Sequence, residues 1–243
     1  MKLDIYATIS DLQKEHLPGA DAVVIDVLRM TSTVTNALEN GAEKIKLIVN
    51  EDEARRFSKQ ENALLGGERG GVKLSGFAFG NSPLEYTREK VENQKIVMTT
   101  TNGARAAEAA QGAKSIRLCS FINVSEVANA LKSSPHVIIL CAGTHDAFSL
   151  DDCLCAGALS SILYAEQEND LSVAMRLLYE AHENDLQAAL KSTKHYKYLK
   201  SIGFTDDLNF CLQKDTHACV PIMDQDGWFD NEKNKRLHDS CIS

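Results

Sequence analysis

Positive charge is in short supply in this chain. It carries 26 Lys and Arg against 34 Asp and Glu, a formal net charge of −8 and a pI near 5.4. Broad binding of nucleic acid or of an anionic membrane surface needs a cationic face, so neither is expected; a local anion site is still allowed. Long apolar runs are missing too. No stretch approaches the ~20 apolar residues of a transmembrane helix, and the opening Met-Lys-Leu-Asp-Ile-Tyr has no signal-peptide core. A cytoplasmic location is the expectation. The seven cysteines form no C-x-x-C pair, Cys153 and Cys155 being the nearest two, so they read as small buried hydrophobes in a reducing compartment. The seven histidines, among them His136, His145 and His217, show no ligand spacing and are expected on the surface or in packing. His145 alone sits in a candidate site loop. No low-complexity linker divides the sequence into modules.

What is present is a soluble globular composition, 44% hydrophobic and 25% charged over 243 residues, enough for one large domain or two closely packed ones. Periodicity predicts an edge strand over 2–8 and a short helix or loop over 10–16. Strands follow at 22–27, 44–49 and 63–65, separated by helices at 32–40 and 51–59. Residues 66–83 hold six glycines in eighteen positions and read as a long functional loop whose two phenylalanines argue for order. A helix over 84–92 leads to strands at 95–99, 115–118 and 136–141, with helices at 103–111 and 123–132 between them. A long helix from about 149 to 165 and two amphipathic ones, 170–180 and 183–192, come next. The polar tail from 205 to 243 offers one strand candidate near 218–222.

The two halves echo each other. Leu38-Glu-Asn-Gly-Ala-Glu-Lys-Ile-Lys-Leu47 aligns with Ala109-Ala-Gln-Gly-Ala-Lys-Ser-Ile-Arg-Leu118, and the same offset lays 23–26 over 94–97. Internal similarity of this kind predicts an α/β fold, a three-layer α/β/α sandwich built from two similar βαβαβ halves by internal duplication. The first half would span 1–93 and the second 94–243 with a helical C-terminal extension, the two intimately packed.

In such a sheet, ligands settle at the carboxyl ends of the strands. Four loops expected there hold Asp26, Arg29, Thr31, Ser32, Thr33, Glu68, Arg69, Asn81, Ser82, Thr100, Thr101, Asn102, Gly143, Thr144, Asp151 and Asp152; parallel strands would bring them to one rim. Asp26, Glu68 and one of Asp151 and Asp152 are carboxylates of the sort a hard cation such as Mg²⁺ takes. The hydroxyls and main-chain N–H groups of Thr31–Thr33, Thr100–Asn102 and Gly143-Thr144 suit a phosphate-like oxyanion, and Arg29 and Arg69 suit bidentate anion contacts. Each has a plainer reading: Ser32 and Thr33 as helix caps, Thr100–Gly103 as a turn, Asp151-Asp152 as ordinary first-turn acids. Glu68, with glycine pairs on both sides, is the hardest to explain structurally. No G-x-G-x-x-G follows the first long strand, which argues against a dinucleotide site.

Five ordered motifs, Val24-Ile-Asp-Val-Leu-Arg-Met-Thr-Ser-Thr33, Gly67-Glu-Arg-Gly-Gly71, Gly76-Phe-Ala-Phe-Gly-Asn-Ser-Pro83, Thr100-Thr-Asn-Gly103 and Cys141-Ala-Gly-Thr144 with Leu150-Asp-Asp152 and Cys155-Ala-Gly157, resemble those of the 2-phosphosulfolactate phosphatase (ComB-like) family. The resemblance runs from about residue 2 past Asp215. It implies a Mg²⁺-dependent phosphatase that converts 2-phosphosulfolactate to 3-sulfolactate and phosphate, as in coenzyme M biosynthesis, or acts on another small phosphorylated carboxylic acid. On that reading Asp26, Glu68 and Asp152 gather Mg²⁺, and Arg29 with Thr31, Ser32 and Thr33 holds the phosphate. Thr100, Thr101, Asn102 and Arg69 would take the substrate's sulfonate and carboxylate. The size of the chain makes a homodimer the expectation. Met30, Ala78 and Ala104 depart from the family's usual Ala, acid and Thr. A non-catalytic anion- or nucleotide-binding α/β module is the rival reading. Nucleophilic attack by Asp26, as in haloacid-dehalogenase-type phosphatases, would want a second acid at the position of Leu28, so metal-activated water is favoured.

Overall fold

The computed structural model describes residues 1–233. In chain order the strands are β1 (Lys2–Tyr6), β2 (Asp21–Ile25), β3 (Lys44–Leu47), β4 (Leu64–Arg69), β5 (Val72–Lys73), β6 (Lys95–Thr99), β7 (Ser115–Cys119), β8 (His136–Cys141), β9 (Gln167–Glu168), β10 (Pro221–Met223) and β11 (Trp228–Asn231). The helices are α1 (Met30–Glu39), α2 (Glu51–Glu61), α3 (Arg88–Val91), α4 (Gly103–Ala109), α5 (Val124–Leu131), α6 (Leu150–Leu163), α7 (Asp170–His182), α8 (Leu186–Leu190), α9 (Lys194–Ser201) and α10 (Thr205–Cys211). All the strands join one mixed sheet in the order β5-β4-β6-β3-β11-β10-β7-β2-β8-β1-β9.

Strand β2 explains the apolar run at 22–25: it pairs in parallel with β7 on one side and β8 on the other. Val23 and Ile25 join Leu3, Ile5, Val137 and Ile139 in a core closed by α5 and α6, while Ala22 and Val24 join Ile138, Leu140 and Leu118 in a core closed by α1 and α4. With helices on both faces, the run Ala22–Ile25 is apolar at every position. Each fully buried Val or Ile contributes about 1.5–3 kcal/mol.

The sheet is not parallel throughout. β4, β6 and β3 form one parallel block, and β7, β2, β8, β1 and β9 another. The antiparallel hairpin β10–β11 lies between them, pairing with β7 and β3, so the blocks run in opposite directions. A single parallel rim is therefore not what gathers the candidate loops. Five strand-to-strand steps separate β6 from β2, and twist of roughly 20–25° at each step turns the blocks through about 100–125°, which lets their loops meet. Pairing also crosses the 93/94 boundary: β6 inserts between β3 and β4, and β2 between β7 and β8.

Several local expectations are corrected. β1 is not an edge strand; the two-residue β9 lies outside it. The helix expected over 84–92 is broken into a 3₁₀ turn, Pro83–Glu85, and the short α3. The carbonyl of Tyr86, needed to continue a helix, is taken by the side-chain amides of Asn40 and Asn36 at 2.9 and 3.4 Å. The 66–83 loop contains the end of β4 and a tight hairpin to β5, turning through Gly70 and Gly71 at φ +57° and +75°, values that glycine adopts without strain. The tail, whose role the sequence left open, supplies α10, β10 and β11; its last ten residues, Cys241 among them, lie outside the described part. No described helix is long and apolar enough to cross a membrane.

Candidate active site

The turn from β2 into α1 is built by its own hydroxyls. Thr31 Oγ1 donates to the Asp26 carbonyl at 2.8 Å and accepts the Asp26 N–H at 3.2 Å. Ser32 Oγ donates to the Val27 carbonyl at 2.8 Å, and Thr33 Oγ1 to the Asn81 carbonyl at 2.9 Å. All three side chains are fully buried. The Leu28–Arg29 peptide is cis. Arg29 is buried as well, its guanidinium donating to Asp207 Oδ2 at 2.6 Å and to the Gly71 carbonyl at 2.9 Å while stacking 3.8 Å over the Phe204 ring. Ser82 Oγ donates to the other Asp207 oxygen at 2.7 Å.

From the opposite block, Glu68 reaches across the ends of β4 and β6. Its Oε1 accepts the Thr101 N–H at 2.8 Å and the Thr101 hydroxyl at 3.0 Å, and its Oε2 accepts the Gly71 N–H at 2.6 Å. Asn102 Oδ1 accepts the His145 N–H at 3.2 Å, tying the β6 loop to the β8 loop. Gly103 lies so close to Asp26 and Met30 that a Cβ there would collide with the Asp26 carboxylate. Only glycine permits this approach.

Asp26, Arg29, Glu68, Asn81, Thr101, Asn102 and Thr144 line one cleft, together with Leu28, His145, His195 and Tyr198. Burial pushes the Asp26 carboxyl up to about 6, opposed by His195 and by the Met30 N–H and reinforced by Asp151 and Glu68. Asn81 Oδ1 is buried with no hydrogen-bond partner among the described residues, an acceptor left for a ligand.

The chain matches the family described as 2-phosphosulpholactate phosphatase over residues 6–226. It belongs to the 2-phosphosulfolactate phosphatase family. Among similar proteins, the probable 2-phosphosulfolactate phosphatase of Caldicellulosiruptor saccharolyticus is 42% identical over 90% of this chain and 96% of its own. That of Caldanaerobacter subterraneus is 40% identical over 92% and 95%, and that of Clostridium novyi 38% over 91% and 96%.

Not every residue singled out on the family resemblance reaches the cleft. Thr31, Ser32 and Thr33 spend their hydroxyls on the main chain. Arg69 donates to the carbonyls of Glu68 and Val49 and to Thr99 Oγ1, and Thr100 Oγ1 accepts the Ala104 N–H. Asp152 bridges two loops from within, accepting the N–H of Val27 at 2.9 Å on one oxygen and of Gly143 at 3.0 Å on the other. Burial, with Asp151 and Asp26 nearby, raises its proton affinity strongly. Among the described residues no three His, Cys, Asp or Glu side chains converge as a metal site, so the expected trio of Asp26, Glu68 and Asp152 does not form. Asp26 and Glu68 do share the cleft, and Asp26 Oδ2 accepts no hydrogen bond from the described residues. Two carboxylates suit Mg²⁺, which commonly takes its remaining oxygens from water and substrate phosphate.

In this member of the family the sequence reading missed His195 and the partner of Arg29. His195 lies near the start of α9, which is capped by Thr193, whose Oγ1 accepts the Tyr196 N–H at 3.4 Å, and anchored by buried Tyr196 and Leu199. Its Nδ1 stands 3.5 Å from both Asp151 Oδ2 and Thr144 Oγ1. Burial alone would disfavour the imidazolium, but Asp151 and Asp26 outweigh it and raise the pKa above the ordinary histidine value. The adjacent Asp151 is correspondingly lowered in spite of burial, by His195 and by the Ser149 hydroxyl.

Proposed function

We propose that this chain is a cytoplasmic phosphoric monoester hydrolase that converts 2-phosphosulfolactate to 3-sulfolactate and phosphate with Mg²⁺, the coenzyme M type of reaction. The observation that carries the reading is the single cleft in which buried Asp26 and Glu68 meet Arg29, Thr101, Asn102 and Thr144; the activity for which the relatives are named agrees with it. Two buried carboxylates facing a phosphate call for a cation. Mg²⁺ held by Asp26 and Glu68 would neutralise phosphate oxygens and make a nearby water more acidic. Arg29, fixed by Asp207 and Phe204, presents its guanidinium edge to the phosphate. Asp26, whose Oδ2 accepts no hydrogen bond from the described residues, takes the proton of the attacking water. Asn102 and Thr144 hold the substrate's carboxylate and sulfonate, and Thr101 fixes Glu68 beside them. Leu28 lines the cleft where an aspartyl-phosphate route through Asp26 would want an acid, which favours water as the nucleophile.

The same reading extends to the fold. The orders β4-β6-β3 and β8-β2-β7 match position by position if β2, β3 and β4 are equated with β6, β7 and β8. This correspondence supports an origin by duplication in which each half lent its first strand to the other, in a three-layer arrangement.

Phosphate release from 2-phosphosulfolactate, beside phospholactate and p-nitrophenyl phosphate, with Mg²⁺ and then EDTA, tests the proposal. Mg²⁺-dependent turnover preferring the sulfonated ester is expected. Turnover of phospholactate alone would move the substrate to another phosphorylated carboxylic acid. Turnover of none would overturn the phosphatase reading in favour of an anion-binding module.

A further inference from the structure

Hydrolysis of an alkyl phosphate leaves an alkoxide, a poor leaving group unless it is protonated as the P–O bond breaks. Few groups in the cleft can deliver that proton. Glu68 is committed as an acceptor on both oxygens, and the Tyr198 hydroxyl donates to the Gly70 carbonyl at 2.7 Å. The His145 ring is hydrogen-bonded to none of the described residues, so nothing orients it toward a leaving group. Asp26 is taken by the attacking side.

His195 differs on every count. It lines the same cleft, only 20% of its side chain is exposed, and its Nδ1 is turned to a carboxylate. Asp151 is 2% exposed; its Oδ1 accepts the Ser149 hydroxyl at 2.6 Å, and its Oδ2 has no hydrogen-bond partner among the described residues, 3.5 Å from the ring. A buried carboxylate oxygen without a donor is costly, and a protonated imidazole closing by a few tenths of an ångström satisfies it. Ser149 and Thr144, whose hydroxyls lie 3.2 Å apart, fix the carboxylate and the ring edge from the β8 loop. With Nδ1 so engaged, Nε2 is the ring nitrogen left to the cleft; it is hydrogen-bonded to none of the described residues.

We propose that His195 is the general acid of this site, with Asp151 as its positioning residue. The inference rests on the phosphatase reading. Water oxygen forms the new bond to phosphorus as the ester P–O bond breaks; Nε2–H passes its proton to the departing alkoxide, and the water's proton goes to Asp26. Exchange with solvent then returns Asp26 and His195 to their starting forms. Asp151 and Asp26 face the ring with negative charge and Arg29 with positive charge; the Asp151 carboxylate, 3.5 Å away and outside the Asp26–Glu68 pair assigned to Mg²⁺, is the partner that holds the proton on it. Such an acid matters for esters of aliphatic hydroxy acids and hardly at all for esters of acidic phenols, so the site is fitted to the former class.

The test compares His195→Gln and Asp151→Asn with the parent on phospholactate and on p-nitrophenyl phosphate, whose leaving group needs no proton. His195→Gln is expected to lower kcat on the alkyl ester by roughly 10²- to 10⁴-fold, with much less effect on the aryl ester and loss of the alkaline limb of the pH profile. Asp151→Asn should move that limb to lower pH. Equal losses on both esters with an unchanged profile would overturn the assignment, as would no loss on either. An NMR titration of the His195 ring, independent of turnover, separates the two levels of the argument. A ring that titrates above the ordinary histidine value, and falls in Asp151→Asn, supports the pair even if the phosphatase reading fails; a ring unaffected by Asp151→Asn sinks it.

Discussion

At the scale of single residues, the site depends on an ion pair that sequence reading could not foresee. Arg29 and Asp207 are separated by 178 positions, yet their side chains are 1% and 4% exposed and 2.6 Å apart. Removing one partner leaves the other buried and uncompensated, at a cost of about 3–5 kcal/mol. Asp207→Ala should therefore lower the urea midpoint by that equivalent and abolish phosphate release. Replacing both partners by apolar residues, Arg29→Met with Asp207→Leu, should recover most of the stability and none of the activity; a double variant as unstable as Asp207→Ala would contradict the account. Asp26 and Glu68, which line one cleft, stand out in the sequence because an acid at the end of an apolar strand, or between glycine pairs, is unusual there. The Thr31–Thr33 hydroxyls were misread for a physical reason: side-chain hydroxyls in a tight turn find main-chain partners first, and only coordinates reveal which are spent. His195 sits in a polar helical stretch with no distinctive spacing, so nothing local marked it.

At the scale of elements, burial on two faces is legible from local composition, whereas anything that depends on distant partners is not. β2 and β8 were readable as apolar runs, whereas the break at Tyr86 depends on amides from α1. The amino end of β2 shows the same distance problem and yields a pH prediction. Asp21 accepts the hydroxyls of Ser115 and Ser134, each at 2.5 Å, with Arg117 and Lys114 at 3.6 and 3.7 Å. Burial raises its carboxyl, but these donors and charges together outweigh burial and leave it below the ordinary value. A carboxyl depressed on folding stabilises the protein above its unfolded pKa of about 3.9, and that contribution disappears as pH falls through the folded value. Asp21→Asn should thus destabilise the protein at pH 7 and flatten the fall of unfolding free energy below about pH 4. Urea midpoints at pH 7 and pH 3 check this; an equal deficit at both would mean the charge is not what matters.

At the scale of the whole molecule, two parallel blocks of opposite direction would each present an open edge, β3 and β7, were the β10–β11 hairpin not between them. Exposed edges of this kind invite pairing with other chains. The hairpin is packed into the rest of the molecule: Phe229 is fully buried, Trp228 packs 5.8 Å from the Phe57 ring, and the Lys44 ammonium lies 4.7 Å over the indole. Asp224 Oδ1 accepts the N–H of Asp226 and of Trp228, both at 2.9 Å, which closes the turn. Trp228 is the chain's single tryptophan, so its emission reports the hairpin alone, while far-UV circular dichroism reports every element. If the hairpin is an integral part of the sheet, the two signals must unfold together in urea. Chain ended after His217 should lose cooperative unfolding and associate, as judged by circular dichroism and light scattering. A monomer of unchanged midpoint after that truncation would mean that the two blocks hold each other through α1 and α4 alone, and that the site loops meet without the hairpin's help.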